Sequence, residues 1–294
     1  MVGLAGYAST HRSSQALIRL LLSIGILGSV AAVVLVAGQR ARGEDGSAAR
    51  PDGSNVRTAA EVAVSAATQS QTAGWVVANL PRTSRLLADV QLRDALVKQG
   101  FPANQVIDFN AGRANEHYDY VVAGPADRAR ASTGTAGTVQ AQAMSRSRSV
   151  AVFGSASDQV QIRQILSPAD AANPVDVSTR AEAGRQLLTN PNVETAPDVR
   201  TVLDAGDLDL RPATMVAALA ASTPVRLLEA PQNAAEQRAN APVRTLRLAV
   251  DRSALTGVLA SLSARYRPLS SHAAADGSEL ITWLPDVAPE PPVG

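Results

Sequence analysis

The chain contains no cysteine and few aromatic residues. The lack of cysteine excludes disulfides, iron–sulfur clusters, thiolate zinc sites and a cysteine nucleophile. Phe, Trp and Tyr make up 3% of the 294 residues, so any core must be built mainly from Leu, Val, Ile and Ala. Charge is also scarce, at 18% of residues with a formal net charge of +1. We therefore expect no nucleic-acid partner, because such partners require a basic surface.

One long uncharged run lies near the N-terminus. Residues 20–38 read LLLSIGILGSVAAVVLVAG, and about 20 helical residues are needed to cross the hydrocarbon core of a bilayer. The run predicts a transmembrane helix over residues 17–38, preceded by a short cytoplasmic head at residues 1–16. A cleaved signal peptide is the alternative, because residues 36–38 resemble a small-residue cleavage site. The length of the apolar run favours an uncleaved signal anchor.

The flanking charges do not fix the orientation of this helix. Arg12 and Arg19 lie before the uncharged run at residues 20–38, whereas Arg40, Arg42 and Arg50 follow it. The positive-inside count therefore leans slightly against an exported C-terminal part. A short head followed by a long C-terminal part is typical of a signal anchor, however. We expect a single-pass protein of the cell membrane with its C-terminal domains outside.

Partners are predicted from the same segment. The lipid bilayer is the expected partner of residues 17–38. Gly25 and Ser29 are small residues four positions apart, a spacing that lets two membrane helices approach closely. A helix-mediated homo-oligomer and an envelope or membrane protein partner therefore both remain open.

Composition divides the remainder into two folded segments. Residues 39–56 are rich in Gly, Ser and charge and predict a tether, and residues 167–176 predict a linker. They bound a first domain at residues 57–166 and a second at residues 177–285. Residues 286–294 form a proline-rich tail.

Hydrophobic periodicity predicts the fold class of both segments. The first alternates short strands with helices and ends in a hairpin, whereas the second begins with three helices and continues with strands. Residues 252–266 have the clearest amphipathic pattern. We predict an α/β protein in which one N-terminal transmembrane helix is followed by two small α/β sandwich domains with mixed sheets.

Part of the first domain resembles a known family. Residues 74–166 contain the strings WVVANLPRTSRLLADVQLRDALVKQGFPANQVIDF, HYDYVVAGPADR and SVAVFGSASDQVQIRQI. They resemble the extracytoplasmic C-terminal domain of actinobacterial multi-pass glycosyltransferases of the polyprenyl-phosphate-dependent type. That family has its catalytic carboxylates in loops of the multi-pass membrane part, so the resemblance implies an external domain and assigns no catalytic residue here. The whole chain resembles uncharacterised single-pass membrane proteins of actinobacteria.

Asp89 is the candidate ligand-binding residue. It follows a predicted strand and precedes a predicted helix, which is the place where ligand sites form in α/β sheets. The glycine-rich fingerprint of a dinucleotide site is absent, so capping of the next helix is the alternative function of Asp89.

Other polar groups give weaker signals. Asp207 and Asp209 match a DxD pattern that can hold a metal ion with a nucleotide, but the pattern is common by chance, and a solvated loop before a helix N-terminus is the favoured explanation. His117 lies between Glu116 and Asp119 and resembles a general base with an orienting acid. Neighbours on a strand point to opposite faces, which favours a surface histidine.

The remaining candidates are interpreted as structural. Residues 154–158 (GSASD) resemble a phosphate loop or a nucleophile turn but lack the residues that define either, so they predict a hairpin turn. Trp75 and Trp283 lie in apolar patterns typical of core residues rather than of sugar platforms. His272 has no evident partner in the sequence. We therefore predict no catalytic, cofactor or metal-binding residues and no cofactor.

These observations favour a non-catalytic, membrane-anchored extracytoplasmic protein, an accessory or interaction module of the cell envelope. An extracytoplasmic glycan- or solute-binding protein is the alternative. An enzyme related to glycosyl transfer is a further one, which the lack of a recognisable catalytic constellation disfavours.

Overall fold

The computed structural model describes residues 63–113, 116–133, 138–172 and 175–285. The predicted head, the transmembrane helix at 17–38 and the tether at 39–56 lie outside these residues, as does the tail. Within the described ranges, no helix has the length and apolar character needed to cross a membrane. All of the described residues belong to one compact unit, Ala59–Pro291.

The helices and strands alternate along most of the chain. The helices are α1 (Ala66–Asn79), α2 (Val90–Lys98), α3 (Pro125–Thr133), α4 (Val139–Ser145), α5 (Pro168–Ala172), α6 (Val177–Thr189), α7 (Pro197–Ala205), α8 (Leu210–Ala220), α9 (Ala234–Arg238) and α10 (Arg252–Ser261). The strands are β1 (Leu86–Ala88), β2 (Val106–Asp108), β3 (Tyr120–Ala123), β4 (Ser147–Phe153), β5 (Val160–Ile165), β6 (Val193–Thr195), β7 (Val225–Glu229), β8 (Thr245–Ala249), β9 (Ser270–Ala273) and β10 (Glu279–Thr282).

The first sheet has the strand order β2-β1-β3-β5-β4. Strands β1, β2 and β3 run parallel, with Leu86 level with Val106 on one side and Tyr120 on the other. Strand β5 is antiparallel to β3, and β4 completes the hairpin. Strands β1 and β3 are fully buried, which explains their short continuous apolar sequences, whereas β2 at the edge is buried only at Val106.

Apolar side chains cover both faces of this sheet. On one face, Leu86 and Val122 pack with Trp75 of α1 and Leu92 of α2. On the other face, a separate cluster joins the strand residues Leu87, Val121 and Ala123 to Phe109, Tyr118 and Ala143. The alternation follows from the two-residue period of a strand.

The second sheet has the strand order β6-β7-β8-β10-β9. Strands β6 and β7 are parallel, and the other neighbours are antiparallel. One face packs against α7, α8 and α10 through apolar side chains that include Leu227, Leu248 and Trp283. The predicted α/β class with two mixed sheets is therefore confirmed. The division into domains 57–166 and 177–285 stays a prediction.

Local chemistry explains most element boundaries. Asp89 and Asp251 accept hydrogen bonds from Leu92 N at 2.8 Å and Ala254 N at 2.9 Å, and so cap α2 and α10. Gly206 ends α7 with φ of 72°, a conformation that favours glycine.

Four elements differ from the pattern in the sequence. The five-residue helix α5 lies inside residues 167–176, which were predicted to be a linker. The amphipathic stretch at 252–266 forms α10 only as far as Ser261 and then a short 3₁₀ turn at Ala264–Tyr266. Strand β6 and helix α9 were not expected, because elements of three and five residues are too short to show periodicity.

A buried polar network joins the two sheets. Arg244, at the start of β8, donates to Glu236 of α9 at 2.6 Å and to Asn79 of α1 at 2.5 Å. Trp75 of α1 donates its indole N–H to the same Glu236 oxygen at 3.0 Å. The guanidinium also donates to the Trp283 carbonyl and lies 5.8 Å from the Trp75 ring centroid. Glu236 and Arg244 are each 6% exposed, so this ion pair is removed from water.

Replacing Glu236 by alanine should lower the free energy of unfolding by about 3–5 kcal/mol, because it leaves Arg244 charged and buried without its acidic partner. Chemical denaturation of the full-length protein measures this loss. The control is Glu182→Ala, because Glu182 pairs with Arg185 at 2.6 Å while both side chains are 57% exposed. That change should leave the free energy of unfolding unchanged within experimental error, because the exposed pair is screened by solvent. Equal losses in the two variants would contradict the structural importance of the network.

Candidate functional site

The carboxyl ends of the parallel strands form one edge of the first sheet. Strand β1 ends before Asp89, and β3 ends before Gly124. After β1 the chain enters α2 on one face, whereas after β3 it leads to α4, which packs on the other face. The chain therefore changes sides between β1 and β3, which is a topological switch point where α/β sheets bind ligands.

Asp89 lies at this point and is partly buried. Its Oδ1 accepts the hydrogen bond from Leu92 N, so the expected capping function is present. Its Oδ2 is directed towards the loop after β3, where it would lie 3.2 Å from a Cβ added to Gly124. A side chain at this position would make a tight contact with Asp89, which would have to shift by a few tenths of an ångström. One carboxylate oxygen of Asp89 thus stabilises the helix, while the other faces the switch point.

Asp127, in the first turn of α3, lies beside Asp89. Its side chain is 0% exposed, and its Oδ2 accepts a hydrogen bond from Gly124 N at 3.0 Å. Its Oδ1 is buried without a hydrogen-bond donor, and the nearest ion-pair partner, Arg130 Nη1, is 3.6 Å away on a half-exposed side chain. Burial, followed by the charge of Asp89, raises the pKa of Asp127 to about 6.

The two carboxyl groups therefore form a pair whose negative charges repel each other. Such a pair can share a proton or bind a cation. The sequence pointed to Asp89 but not to Asp127, because an acidic residue just after a Gly-Pro strand end is an ordinary feature of a helix first turn. Asp108, at the end of β2, accepts a hydrogen bond from Asn110 N at 2.7 Å and so stabilises the turn that follows β2.

The two aspartates of the DxD pattern, Asp207 and Asp209, lie in different surroundings. Asp209 is 3% exposed and makes a two-point contact with Arg211, with Nε and Nη2 at 2.9 and 2.8 Å from its two oxygens. It also caps α8 through Arg211 N. Asp207 lies apart from this pair, at a polar surface cavity. Among the residues that the structure describes, no group of three or more His, Asp or Glu side chains is placed to hold a metal ion.

The histidines and tryptophans make structural or surface contacts. His117 is 83% exposed and lies 3.1 Å from Asp119, while Glu116 pairs with Arg85 at 2.7 Å. His272 is exposed on β9. Both tryptophans are core residues. The indole N–H of Trp75 donates to Glu236, and that of Trp283 donates to the Tyr266 carbonyl at 2.9 Å.

The predicted hairpin turn joins β4 and β5. Asp158 accepts from Ser155 N at 2.8 Å within this turn and from the Thr68 hydroxyl of α1 at 2.8 Å. A hydrogen bond from Ser65, followed by those from Ser155 N and Thr68, holds the pKa of Asp158 far below its usual value. The Asp158 carboxylate therefore connects the turn to the N-terminus of α1.

A polar surface cavity lies between α6, α9 and the loop after α7. Its volume is about 160 Å³, and its lining residues are Arg180, Asp207, Gln232, Gln237, Asn240, Ala241 and Pro242. Asn240 has φ of 50°, an uncommon conformation for a residue other than glycine. The lining combines one basic, one acidic and three amide side chains, which suits hydrogen bonding to a small polar molecule.

No protein-family model, curated protein or solved structure matches this chain.

Substituting Asp127 by asparagine should stabilise the protein by about 1–2 kcal/mol at pH 7.5 in buffer without divalent cations. The amide oxygen still accepts from Gly124 N, while the buried charge that Asp89 repels is removed. Urea denaturation measures the change. The control is Asp94→Asn, which removes an exposed charge from α2 and should change stability by no more than about 0.5 kcal/mol. A lower free energy of unfolding for Asp127→Asn would contradict this prediction and show that the carboxylate pair stabilises the fold.

Proposed function

We propose that this chain is a membrane-anchored extracytoplasmic protein that acts as an accessory or interaction module of the cell envelope, without catalysis of its own. One observation carries the proposal: several polar groups that the sequence offered as ligand, metal or sugar contacts are used to build the fold. Asp209 neutralises a buried arginine, one oxygen of Asp89 caps a helix, and the indole groups of Trp75 and Trp283 are bonded in the core.

The anchor and the external location are parts of the same proposal. They are supported by the apolar run at residues 20–38 and by the resemblance of residues 74–166 to an external domain. An external protein has no access to cytosolic nucleotides, which is consistent with a function exerted through contact. The expected partner is then an envelope or membrane protein.

A glycan- or solute-binding function is the second candidate, and the polar cavity beside Arg180 favours it. Amide, carboxylate and guanidinium groups together can satisfy the donors and acceptors of hydroxyl groups. A volume of about 160 Å³ corresponds to roughly five water molecules. One small polar molecule, or the end of a larger one, would fill it.

Single-cysteine cross-linking on intact cells tests sidedness and contact together. The natural chain has no cysteine, so it gives no background reaction. Gly257→Cys on α10, Ser132→Cys on α3 and Ser271→Cys on β9 place thiols at exposed positions on separate elements. A Cβ at Gly257 meets no atom within 4 Å. A membrane-impermeant, thiol-reactive photocross-linker should label all three variants in intact cells.

Illumination should then give a discrete adduct with one envelope component from at least one position and not from all three, because a specific interface covers one part of a surface. Labelling that requires cell lysis would reverse the proposed orientation. Complete labelling without an adduct from any position would contradict a function through protein contact and favour the solute-binding alternative.

A further inference from the structure

We propose that the polar cavity beside Arg180 binds a small zwitterion of the amino-acid class, with Arg180 holding the ligand's carboxylate and Asp207 its ammonium group. The inference rests on the second candidate function, solute binding, because it names the class of ligand for that cavity. It does not depend on the interaction function.

The fold holds the walls of this cavity in place. Val243 N donates to the Asp207 carbonyl at 2.6 Å, which joins the loop after α7 to the chain entering β8. A Cβ on Gly206 would lie 2.4 Å from the Val177 carbonyl oxygen, so α6 packs directly on the turn that precedes Asp207. Arg180 and Asp207 are therefore positioned before any ligand binds, which lowers the entropic cost of binding.

Arg180 carries a charge that the fold orients without an ion pair. Its Nε and Nη1 donate to the carbonyls of Gly206 at 2.8 Å and Val175 at 3.1 Å. Among the described residues, no carboxylate lies within ion-pair distance of this guanidinium, and its Nη2 makes no hydrogen bond. Asp209, the acid whose charge acts on it most strongly, already pairs with Arg211. Arg180 thus keeps donors for the carboxylate of a ligand.

Asp207 supplies the opposite charge in the same cavity. Its side chain is exposed, and within the described part of the chain its carboxylate accepts no hydrogen bond. It lines the cavity together with Arg180 but does not pair with it. Two opposite charges that share a cavity without touching complement a molecule with one charge of each sign. The amides of Gln237 and Asn240 line the same cavity and can bond the remaining ligand atoms.

The size and the lining of the cavity favour an amino acid over a sugar. A volume of about 160 Å³, roughly five water molecules, suits glycine or alanine, whereas a monosaccharide would project into solvent. Among the described residues that line the cavity none is aromatic, so a sugar ring has no apolar face on which to stack. A neutral ligand would also leave the charges of Arg180 and Asp207 without partners.

Isothermal titration of the full-length protein with glycine at pH 7.5 tests the site. We expect a dissociation constant of about 1 mM or lower. Acetate and methylammonium each carry only one of the two charges and should bind at least tenfold more weakly, because each loses a charge-assisted hydrogen bond. Absence of glycine binding, or acetate binding as tightly as glycine, would overturn the proposal. Binding of glucose in place of glycine would overturn it in favour of a glycan.

Variants separate binding from folding. Asp207→Asn should weaken glycine binding at least tenfold and leave the free energy of unfolding unchanged, because the carboxylate makes no bond that the fold needs. The matched control is Asp204→Asn, which removes another exposed acid nearby on α7 and should bind glycine like the natural protein. Arg180→Gln should lose binding of both glycine and acetate. Unchanged glycine affinity in Asp207→Asn would refute the site.

Failure of this site and failure of the interaction function give different results. Cross-linked adducts on intact cells without glycine binding would overturn the cavity site and leave the interaction function standing. Glycine binding that Asp207→Asn weakens, without any adduct, would support the cavity site and contradict the interaction function.

Discussion

The ion pair between Glu236 and Arg244 connects the two sheets of this protein. Removing two charges from water is costly, and good geometry with additional hydrogen bonds offsets part of that cost. Arg244 Nε is the one nitrogen of this guanidinium that is buried without a hydrogen-bond acceptor. Here Glu236 accepts from Arg244 and from the Trp75 indole, while Arg244 also bonds Asn79 and the Trp283 carbonyl. Because Trp75 and Asn79 belong to α1 and Trp283 follows β10, separation of the sheets would break several of these bonds and expose the pair.

Two other buried carboxylates show how their surroundings decide their function. Asp209 accepts two hydrogen bonds from the guanidinium of Arg211, so the two buried charges compensate each other. Asp127 is equally buried but lies next to another acid and has an oxygen without a donor. Asp127 accepts a hydrogen bond from Gly124 N, and its other oxygen lies 3.6 Å from Arg130. Uncompensated charge of this kind is more typical of a binding site than of a structural contact.

The sequence predicts the elements with strong local signals. Gly206 and Pro197 mark the ends of α7, and Asp89 and Asp251 mark helix starts because capping depends on a few neighbouring residues. It does not predict the network that joins the sheets. Glu236 lies in a five-residue helix without periodicity, and its bond to Trp75 spans 161 positions. Asp127 was missed for the same reason, since its pairing with Asp89 exists only once β1 and β3 are side by side.

Differential scanning calorimetry of the full-length protein tests most directly whether the buried network makes residues 63–285 one cooperative unit. The account predicts a single unfolding transition for these residues, with a ratio of calorimetric to van't Hoff enthalpy of about 1. Two separable transitions, each with the enthalpy of about half of these residues, would contradict it. They would show that the sheets fold as independent domains and that Glu236 and Arg244 only mark the place where they touch.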